Sequence, residues 1–269
     1  MPSPEQQWRD VADTTVVKLV IDHLAAQTLE RPIWPDGLQA KPLLSRETVC
    51  HSLRVACGAV LINALIDPLG DRALAVAEAG AGHDIGKVGN PIDRCVGNVD
   101  FTEPAAKYLK RRHAYSGFEA GKHLPGASRA VALGALFTHA FARDPRDRYP
   151  NEDITQDYML AGEISREDLS VAQQISPPVG HSDVYDALTT RPSFRACVLQ
   201  RHKAHVLTPA IILEQMTLSL QPIKGATNGE IVELLGDHGA LLREAADQAR
   251  DAISDARRNR MLDQYVLVS

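Results

Sequence analysis

The segment Ala81-Gly82-His83-Asp84-Ile85-Gly86-Lys87 carries the strongest chemical signal in this chain. An adjacent imidazole and carboxylate can bind one metal ion together, and the two carboxylate oxygens can also bridge to a second ion. The preceding run of small residues, 79–82, would let helices approach closely around a buried site. We expect Gly86 to end a helix and Lys87 to place a cation where a phosphate would sit.

Four more residues with metal-binding side chains lie on either side of this dyad, namely His51, His113, His139 and Asp183. A single His-Asp pair is weak evidence in a chain that has 10 histidines. Six such residues, however, can hold two metal ions and leave positions open for water and a substrate, as a hydrolytic site requires. Nitrogen and oxygen ligands suit iron, manganese, nickel or zinc, so the sequence predicts two divalent transition-metal ions without choosing among these elements.

Taken in order, four segments resemble the HD-domain metal-dependent phosphohydrolases, and most closely their HD-GYP branch. These segments are His51-Ser52-Leu53-Arg54-Val55, His83-Asp84-Ile85-Gly86-Lys87, His113-Ala114-Tyr115-Ser116-Gly117, and Asp183-Val184-Tyr185-Asp186-Ala187-Leu188 with Arg191-Pro192. The resemblance covers residues 45–200, which is most of the chain. It implies an all-α fold, an HD-domain helical bundle of about five core helices around a dinuclear metal site.

The resemblance also implies which residues hold each metal. One ion would take His51, His83, Asp84 and Asp183, and the other would share Asp84 as a bridge and add His113 and His139. A hydroxide held between the ions would attack phosphorus, because coordination lowers the pKa of water from about 15.7 towards neutrality. The implied activity is that of a phosphohydrolase or phosphodiesterase, acting on a small phosphoester of the nucleotide or cyclic nucleotide type.

Further side chains are predicted to support this chemistry. Asp84 and Lys87 are the expected catalytic residues, since Asp84 can orient the nucleophile and Lys87 can bind and stabilise the phosphoryl oxygens. Asp186 follows Asp183 by three residues, so it is expected to hold the second ring nitrogen of a ligating histidine. Arg54 and Arg191 would either bind a substrate phosphate or form structural ion pairs.

The loop after His139 departs from the HD-GYP pattern. That branch has two adjacent histidines where this chain has Thr138-His139, and later an Asp-Gly pair and a Gly-Tyr-Pro triplet. Here Tyr149-Pro150 is present and the glycines are absent. In the family this loop helps to read the cyclic dinucleotide, so we expect cyclic di-GMP to be a poor substrate. The missing histidine argues against a third metal.

Three other functions are open at this point. A mixed-valence di-iron oxygenase of the same superfamily would use the same six ligands. Lys87 and the sequence of residues 183–188 favour hydrolysis. A catalytically inactive HD-domain protein that binds a nucleotide or a regulatory partner is disfavoured by the six retained ligands. A single-strand nuclease is the least favoured, because the net charge is −5 and nucleic-acid binding needs a basic surface.

Composition favours a helical protein with a sizeable core, since 44% of the 269 residues are hydrophobic and only 5% are aromatic. No apolar stretch approaches the ~18 residues of a membrane span, and the N-terminus lacks a signal-peptide pattern. We therefore expect a cytoplasmic enzyme with no membrane contact. The four cysteines form no CxxC pair and are interpreted as small buried residues in a reducing compartment. The basic run at 107–112 is interpreted as an exposed helix face, with attraction of an anionic substrate towards His113 as the alternative.

We expect one domain over residues 1–269, with a core at 45–205, an N-terminal helix at 13–30 and C-terminal helices at 207–265. Within the core, one predicted helix, 128–142, carries His139, and a long helix over 184–205 follows Asp183. A helix that starts with a capping box at Ser165 is expected to stop at Pro177-Pro178. The apolar face of the C-terminal helices is interpreted as ordinary packing, with a homodimer interface as the less favoured alternative.

Overall fold

The computed structural model describes residues 2–28, 44–88 and 104–266. This part of the chain is all-α, as predicted, with two isolated β-bridges and no strand. In chain order its α-helices are α1 (Pro4–Ala12), α2 (Thr15–Gln27), α3 (Arg46–Ile66), α4 (Ala73–Gly82), α5 (Pro104–His123), α6 (Arg129–Phe137), α7 (Glu152–Leu160), α8 (Arg166–Thr190), α9 (Pro192–Arg201), α10 (Pro209–Ser219), α11 (Asn228–Asp237) and α12 (Gly239–Val266).

Helix α4 lies at the centre of the protein and packs against α2, α3, α6 and α8. Its last turn is the small-residue run predicted to allow close helix approach. A β-carbon added to Gly80 would lie 2.6 Å from Ala56 Cα in α3. A β-carbon added to Gly134 in α6 would likewise lie 2.6 Å from Ala79 Cα. The neighbouring helices therefore contact α4 through their backbones, because only hydrogen atoms fit at these positions.

Helix α3 is the second central element, and its residues from Thr48 to Asn63 are buried. Among the described residues, α3 is the one helix long and apolar enough to meet the length and composition test for a membrane span, with a mean hydropathy of 1.7. Its apolar window is 83% buried inside the protein. Helix α3 packs on α4, α8 and α12, so its apolar character is that of a core helix.

The first and last described helices pack against this core. The N-terminal region forms two helices instead of the single helix predicted over 13–30, because Ser3 caps a first helix that has Pro4 at its first position. At the C-terminus, helices are present as predicted, and α11 and α12 are separated by a break at His238. Leu235, Leu241 and Ala245 are buried against the chain itself, as the prediction of ordinary packing requires.

The expectation that Pro177-Pro178 would end a helix was wrong, since α8 continues through both prolines from Arg166 to Thr190. Each proline removes one intrahelical hydrogen bond. The carbonyl groups that lose a donor belong to Gln173 and Gln174, which are exposed and can be hydrated. Residues on the opposite side of α8, including Ile175 and Val179, are buried in the core. Burial of this face therefore outweighs the local cost of the prolines.

Other helix boundaries also differ from the prediction. The helix predicted over 184–205 is divided into α8 and α9, because Pro192 cannot continue α8 and instead starts α9. Helix α6 ends at Phe137, so His139 lies just beyond the helix instead of within it. Cys50 and Cys57 are buried as predicted, whereas Cys197 is exposed on α9. Cys95 and residues 31–42, for which the prolines and glycine predict a loop, lie outside the described residues. A loop is also predicted over 85–102, and only residues 85–88 of it are described.

Gly86 does not end α4, which finishes at Gly82. It lies in a short 3₁₀ helix, Ile85–Lys87, that packs against α5. A β-carbon at Gly86 would lie 1.9 Å from the His113 carbonyl oxygen and 2.4 Å from Gly117 N. The role of Gly86 is therefore to let the chain after the His-Asp dyad touch the backbone of α5.

We expect Gly86→Ala to lower the free energy of unfolding by about 3 kcal/mol, because the new methyl group would collide with two backbone atoms that cannot move independently. Chemical denaturation followed by circular dichroism measures this loss. Gly236→Ala is the matched control, since its β-carbon would have no neighbour nearer than 3.9 Å. That variant should be neutral or up to about 1 kcal/mol more stable. Equal stability of the two variants would contradict the close-packing account.

Candidate metal centre

Five helices bring the six predicted ligands to one region in the core. Helices α3, α5 and α8 carry His51, His113 and Asp183 within their length. The His83-Asp84 dyad follows the last residue of α4, and His139 lies two residues beyond the end of α6. His51, His83, Asp84 and His113 are each at most 2% exposed.

The tightest part of this centre consists of His51, His83 and Asp183, whose ligand atoms all lie within 4.8 Å of one another. His51 Nε2 is 3.0 Å from Asp183 Oδ1, and His83 Nε2 is 3.9 Å from the same oxygen. Neither Nε2 atom makes a hydrogen bond to any described group. Buried polar atoms are rarely left without a partner. Two imidazole nitrogens facing a carboxylate therefore fit a transition-metal ion.

The ring orientation of both histidines is fixed from behind. His51 Nδ1 donates to Asp186 Oδ2 over 2.6 Å, and His83 Nδ1 donates to the Gly80 carbonyl oxygen over 2.7 Å. A proton held on Nδ1 leaves the Nε2 lone pair for a metal. Asp186 thus contacts a ligating histidine, as its position three residues after Asp183 predicted. The sequence does not predict that the Gly80 carbonyl group holds His83, because the acceptor is a backbone atom.

Asp84 lies between two groups of histidines, and its two oxygens face different groups. Oδ2 is 3.6 Å from His51 Nε2 and 3.4 Å from His83 Nε2. Oδ1 is 3.7 Å from His113 Nε2. A carboxylate in this orientation has the geometry needed to bridge two metal ions.

The second group of histidines is stacked with an aromatic side chain. The rings of His113 and His139 are in edge contact, with their centroids 5.4 Å apart. The Tyr149 ring stacks on His139 at 4.6 Å and meets His113 edge-on at 6.1 Å. The sequence predicts no role for Tyr149 in the centre. Its contact with both histidines depends on how residues 138–150 fold back, and no local signal in the sequence encodes that path.

Two cationic side chains approach the bridging carboxylate. Lys87 Nζ forms a short ion pair with Asp84 Oδ2, and Arg191 lies 3.9 Å from the same oxygen. The side chains of Lys87 and Arg191 are 12% and 24% exposed, so this side of the centre is reached by solvent. Lys87 therefore lies at the centre as predicted, and in this structure its partner is the carboxylate of Asp84.

Arg54 supports the centre indirectly, through Asp186. Its Nε donates to Asp186 Oδ1 over 2.6 Å, and its terminal nitrogen donates to Glu47 over 2.5 Å. Of the two roles predicted for Arg54, the structure shows the ion pair. Because the guanidinium is committed to these two carboxylates, we do not assign it to the substrate. Arg54 instead holds Asp186, which in turn holds His51.

The protonation states favour metal binding. Burial alone would raise the pKa of Asp84, but the charges of His83, Lys87, His51 and His113 outweigh it and hold that pKa well below its usual range. Burial would also raise the pKa of Asp183, but the close approach of His51, whose Nε2 is 3.0 Å from Oδ1, and the charge of His83 lower it instead. Burial lowers the pKa of His83. Ionised carboxylates and a neutral imidazole are the forms that bind metal ions.

Tyr149 and Asp186 are also shifted. Burial, followed by the nearby charges of Asp183 and Asp84, raises the pKa of Tyr149 well above its usual value, so its hydroxyl stays protonated. Burial opposes ionisation of Asp186, but hydrogen bonds from His51 and Arg54 lower its pKa to about 2. Asp186 is therefore a permanent acceptor for the His51 ring.

No protein-family model, curated protein or solved structure matches this chain significantly. The functional assignment therefore rests on the residues and geometry of the centre itself.

Proposed function

We propose that this chain is a two-metal phosphohydrolase built on an HD-domain bundle. The observation that carries the proposal is the position of Asp84, whose two oxygens face the His51–His83 group and His113 respectively. His51, His83, Asp84 and Asp183 would hold one ion. Asp84, His113 and His139 would hold the other. The nitrogen and oxygen ligands suit iron, manganese, nickel or zinc.

Bound metals would supply an activated water and would polarise the phosphoryl oxygens. The remaining tasks belong to the side chains around them. Asp84 is ionised and can accept a hydrogen bond that orients the attacking water. Lys87 and Arg191 lie on the solvent-reached side of Asp84, where they can donate hydrogen bonds to an incoming phosphoryl group. Negative charge that develops on that group in the transition state would be stabilised by both cations.

Two alternatives use the same ligands. A mixed-valence di-iron oxygenase would need the six metal ligands, and we favour hydrolysis because Lys87 and Arg191 lie beside the bridging carboxylate, where they match an anionic phosphoester. An inactive binding protein would have no use for Nδ1 anchors on both His51 and His83. The weak activity expected on cyclic di-GMP stays a prediction. We retain a small phosphoester of the nucleotide type as the substrate class.

Metal analysis of the reconstituted full-length protein should find two ions per chain, and the same preparation should hydrolyse a generic phosphodiester such as bis(p-nitrophenyl) phosphate. His139→Ala should lose one ion preferentially, because the His139 ring packs against His113, a proposed ligand of the second ion. His181→Ala is the matched control, since His181 is a fully buried histidine whose Nδ1 binds the Pro177 carbonyl oxygen. It should retain both ions. A stoichiometry of zero or one in the wild type would rule out the two-metal proposal.

A further inference from the structure

A cavity of about 250 Å³ lies beside the second group of histidines and contains three arginines in its wall. We call it the arginine cavity, and it is lined by Arg111, Arg112, Tyr115, Arg148, Tyr149, Asn151 and Ile154. None of these lining residues is acidic. A wall with three guanidinium groups and no carboxylate attracts anions and disfavours cations.

The cavity adjoins the metal centre through one aromatic ring and one helix turn. Tyr149 lines the cavity and also stacks on His139 at 4.6 Å. Arg111 and Arg112 directly precede His113 on α5. A ligand group in the cavity would therefore lie next to a phosphoryl group bound at the metals, within the reach of one small molecule.

One arginine in the cavity wall is fixed in place by the protein itself. The Arg148 side chain is held in place by hydrogen bonds from Nε to the Ala142 carbonyl, over 2.8 Å, and from a terminal nitrogen to the Arg143 carbonyl, over 3.3 Å. Its guanidinium is therefore positioned before any ligand arrives.

The volume restricts what the cavity holds. Sites that enclose a whole drug-sized ligand usually measure about 300 to 1,000 Å³. A cavity of about 250 Å³ is suited to one part of a larger ligand. Guanidinium groups recognise phosphate through paired hydrogen bonds, so a phosphate group matches both the size and the chemistry.

We propose that the arginine cavity is a second anion subsite, which holds a phosphate group of the substrate that is not hydrolysed. The inference rests on the proposed function, because it takes the metal centre as the place of hydrolysis. It narrows the substrate class to small phosphoesters that carry a second phosphate group. The non-reacting phosphate would fix the orientation of the ester at the metals, and its binding energy would raise the rate on such substrates.

The first test measures binding of inorganic pyrophosphate to the full-length protein by isothermal titration calorimetry, with a chelator present so that metal ions do not contribute. The double variant Arg111→Ala/Arg112→Ala should bind pyrophosphate about tenfold to a hundredfold more weakly, because hydrogen bonds to charged groups are lost. Arg257→Ala is the control, an exposed arginine on α12 with the same change of charge. Equal affinity in the wild type and the double variant would overturn the subsite.

A second variant tests the proposal even if the double variant Arg111→Ala/Arg112→Ala does not fold. Ile154→Glu places a carboxylate in the cavity wall from the half-buried position of Ile154 on α7 and leaves the arginines unchanged. It should weaken pyrophosphate binding at least as much as the double variant does. Undiminished binding in this variant would contradict the proposal.

The kinetic arm compares a bisphosphorylated ester with the matched monophosphorylated ester on the metal-loaded protein. The ratio of the two kcat/KM values should fall about tenfold in the double variant. The contrary outcome is a kcat/KM ratio that is the same in the double variant and the wild type, while inorganic phosphate binds as tightly as pyrophosphate. The cavity would then bind only free phosphate, and the assignment of a bisphosphorylated substrate would be wrong. If the wild type hydrolyses neither ester, the proposed function fails, while calorimetry still decides whether the cavity binds anions.

Discussion

Asp84→Ala is expected to remove both metal ions and to lower kcat/KM on a phosphoester by about a thousandfold or more, which corresponds to roughly 4 kcal/mol of transition-state stabilisation. The reason is geometric. Oδ2 of Asp84 faces His51 and His83, and Oδ1 faces His113. Loss of this one side chain therefore removes a ligand from both predicted metal positions at once. Elemental analysis and steady-state kinetics on the same preparation would measure both effects.

The control for this prediction is Glu78→Gln. Glu78 is a buried carboxylate on α4, five residues before the centre begins, and its partner is the Ser128 hydroxyl at the start of α6. Replacing Glu78 shows how the loss of a buried carboxylate in this region affects folding when no proposed metal ligand is changed. We expect Glu78→Gln to retain two ions and its activity. If Asp84→Ala keeps one ion and most of its activity, then Asp84 does not bridge two metals.

The set of candidate ligands could be predicted because four separate segments resemble one known family, and the packing around the His-Asp dyad could be predicted from its local sequence. A histidine next to an aspartate, after a run of Ala and Gly, specifies both a metal-binding pair and the close helix packing needed to bury it. The structure shows that packing at Gly80 and Gly134, where backbones of different helices come into contact. The helical character of the chain was predictable for the same reason, since apolar residues recur at helical spacing throughout it.

The parts that were predicted wrongly depend on contacts between distant residues. Pro177 and Pro178 carry a strong local signal to end a helix, but the burial of Ile175 and Val179 keeps α8 continuous. That continuity places Asp183 and Asp186 near the end of a 25-residue helix instead of at the start of a new one. Local propensity is a weak guide wherever one face of a helix is fully buried.

The sequence also does not predict the role of a polar residue whose partner is far away in the chain. Arg54 was an open choice between a substrate phosphate and an ion pair, and its partner Asp186 is 132 residues away. Tyr149 contacts His113 and His139 only because the loop after α6 returns to the centre. Spacing along one helix predicts neighbours at three or four residues, and it contains no information about these pairs.

The second large effect is expected from Lys87→Ala, which should lower kcat/KM on a phosphoester by roughly tenfold to a thousandfold, or about 1.4 to 4 kcal/mol. Lys87 Nζ pairs with Asp84 Oδ2, and its side chain is 12% exposed on the side that solvent reaches. Metal ions on Asp84 would take over the neutralisation of this carboxylate. The ammonium group would then be available to a phosphoryl oxygen. Lys87→Arg should recover only part of the rate, because a planar guanidinium does not replace a compact ammonium.

The metal dependence of stability separates this role from a purely structural one. Without metals, Lys87→Ala leaves the buried Asp84 carboxylate without its nearest cation, so the melting temperature of the metal-free variant should fall below that of the wild type. With metals bound, the ions supply the missing positive charge, and the two melting temperatures should converge while the activity of the variant stays low. Differential scanning calorimetry with and without metals, combined with kinetics, gives both readouts. Unchanged kinetics together with a lower melting temperature in both states would show that Lys87 only stabilises the fold. The preference for hydrolysis over oxygenation would then rest on Arg191 and on the sequence of residues 183–188.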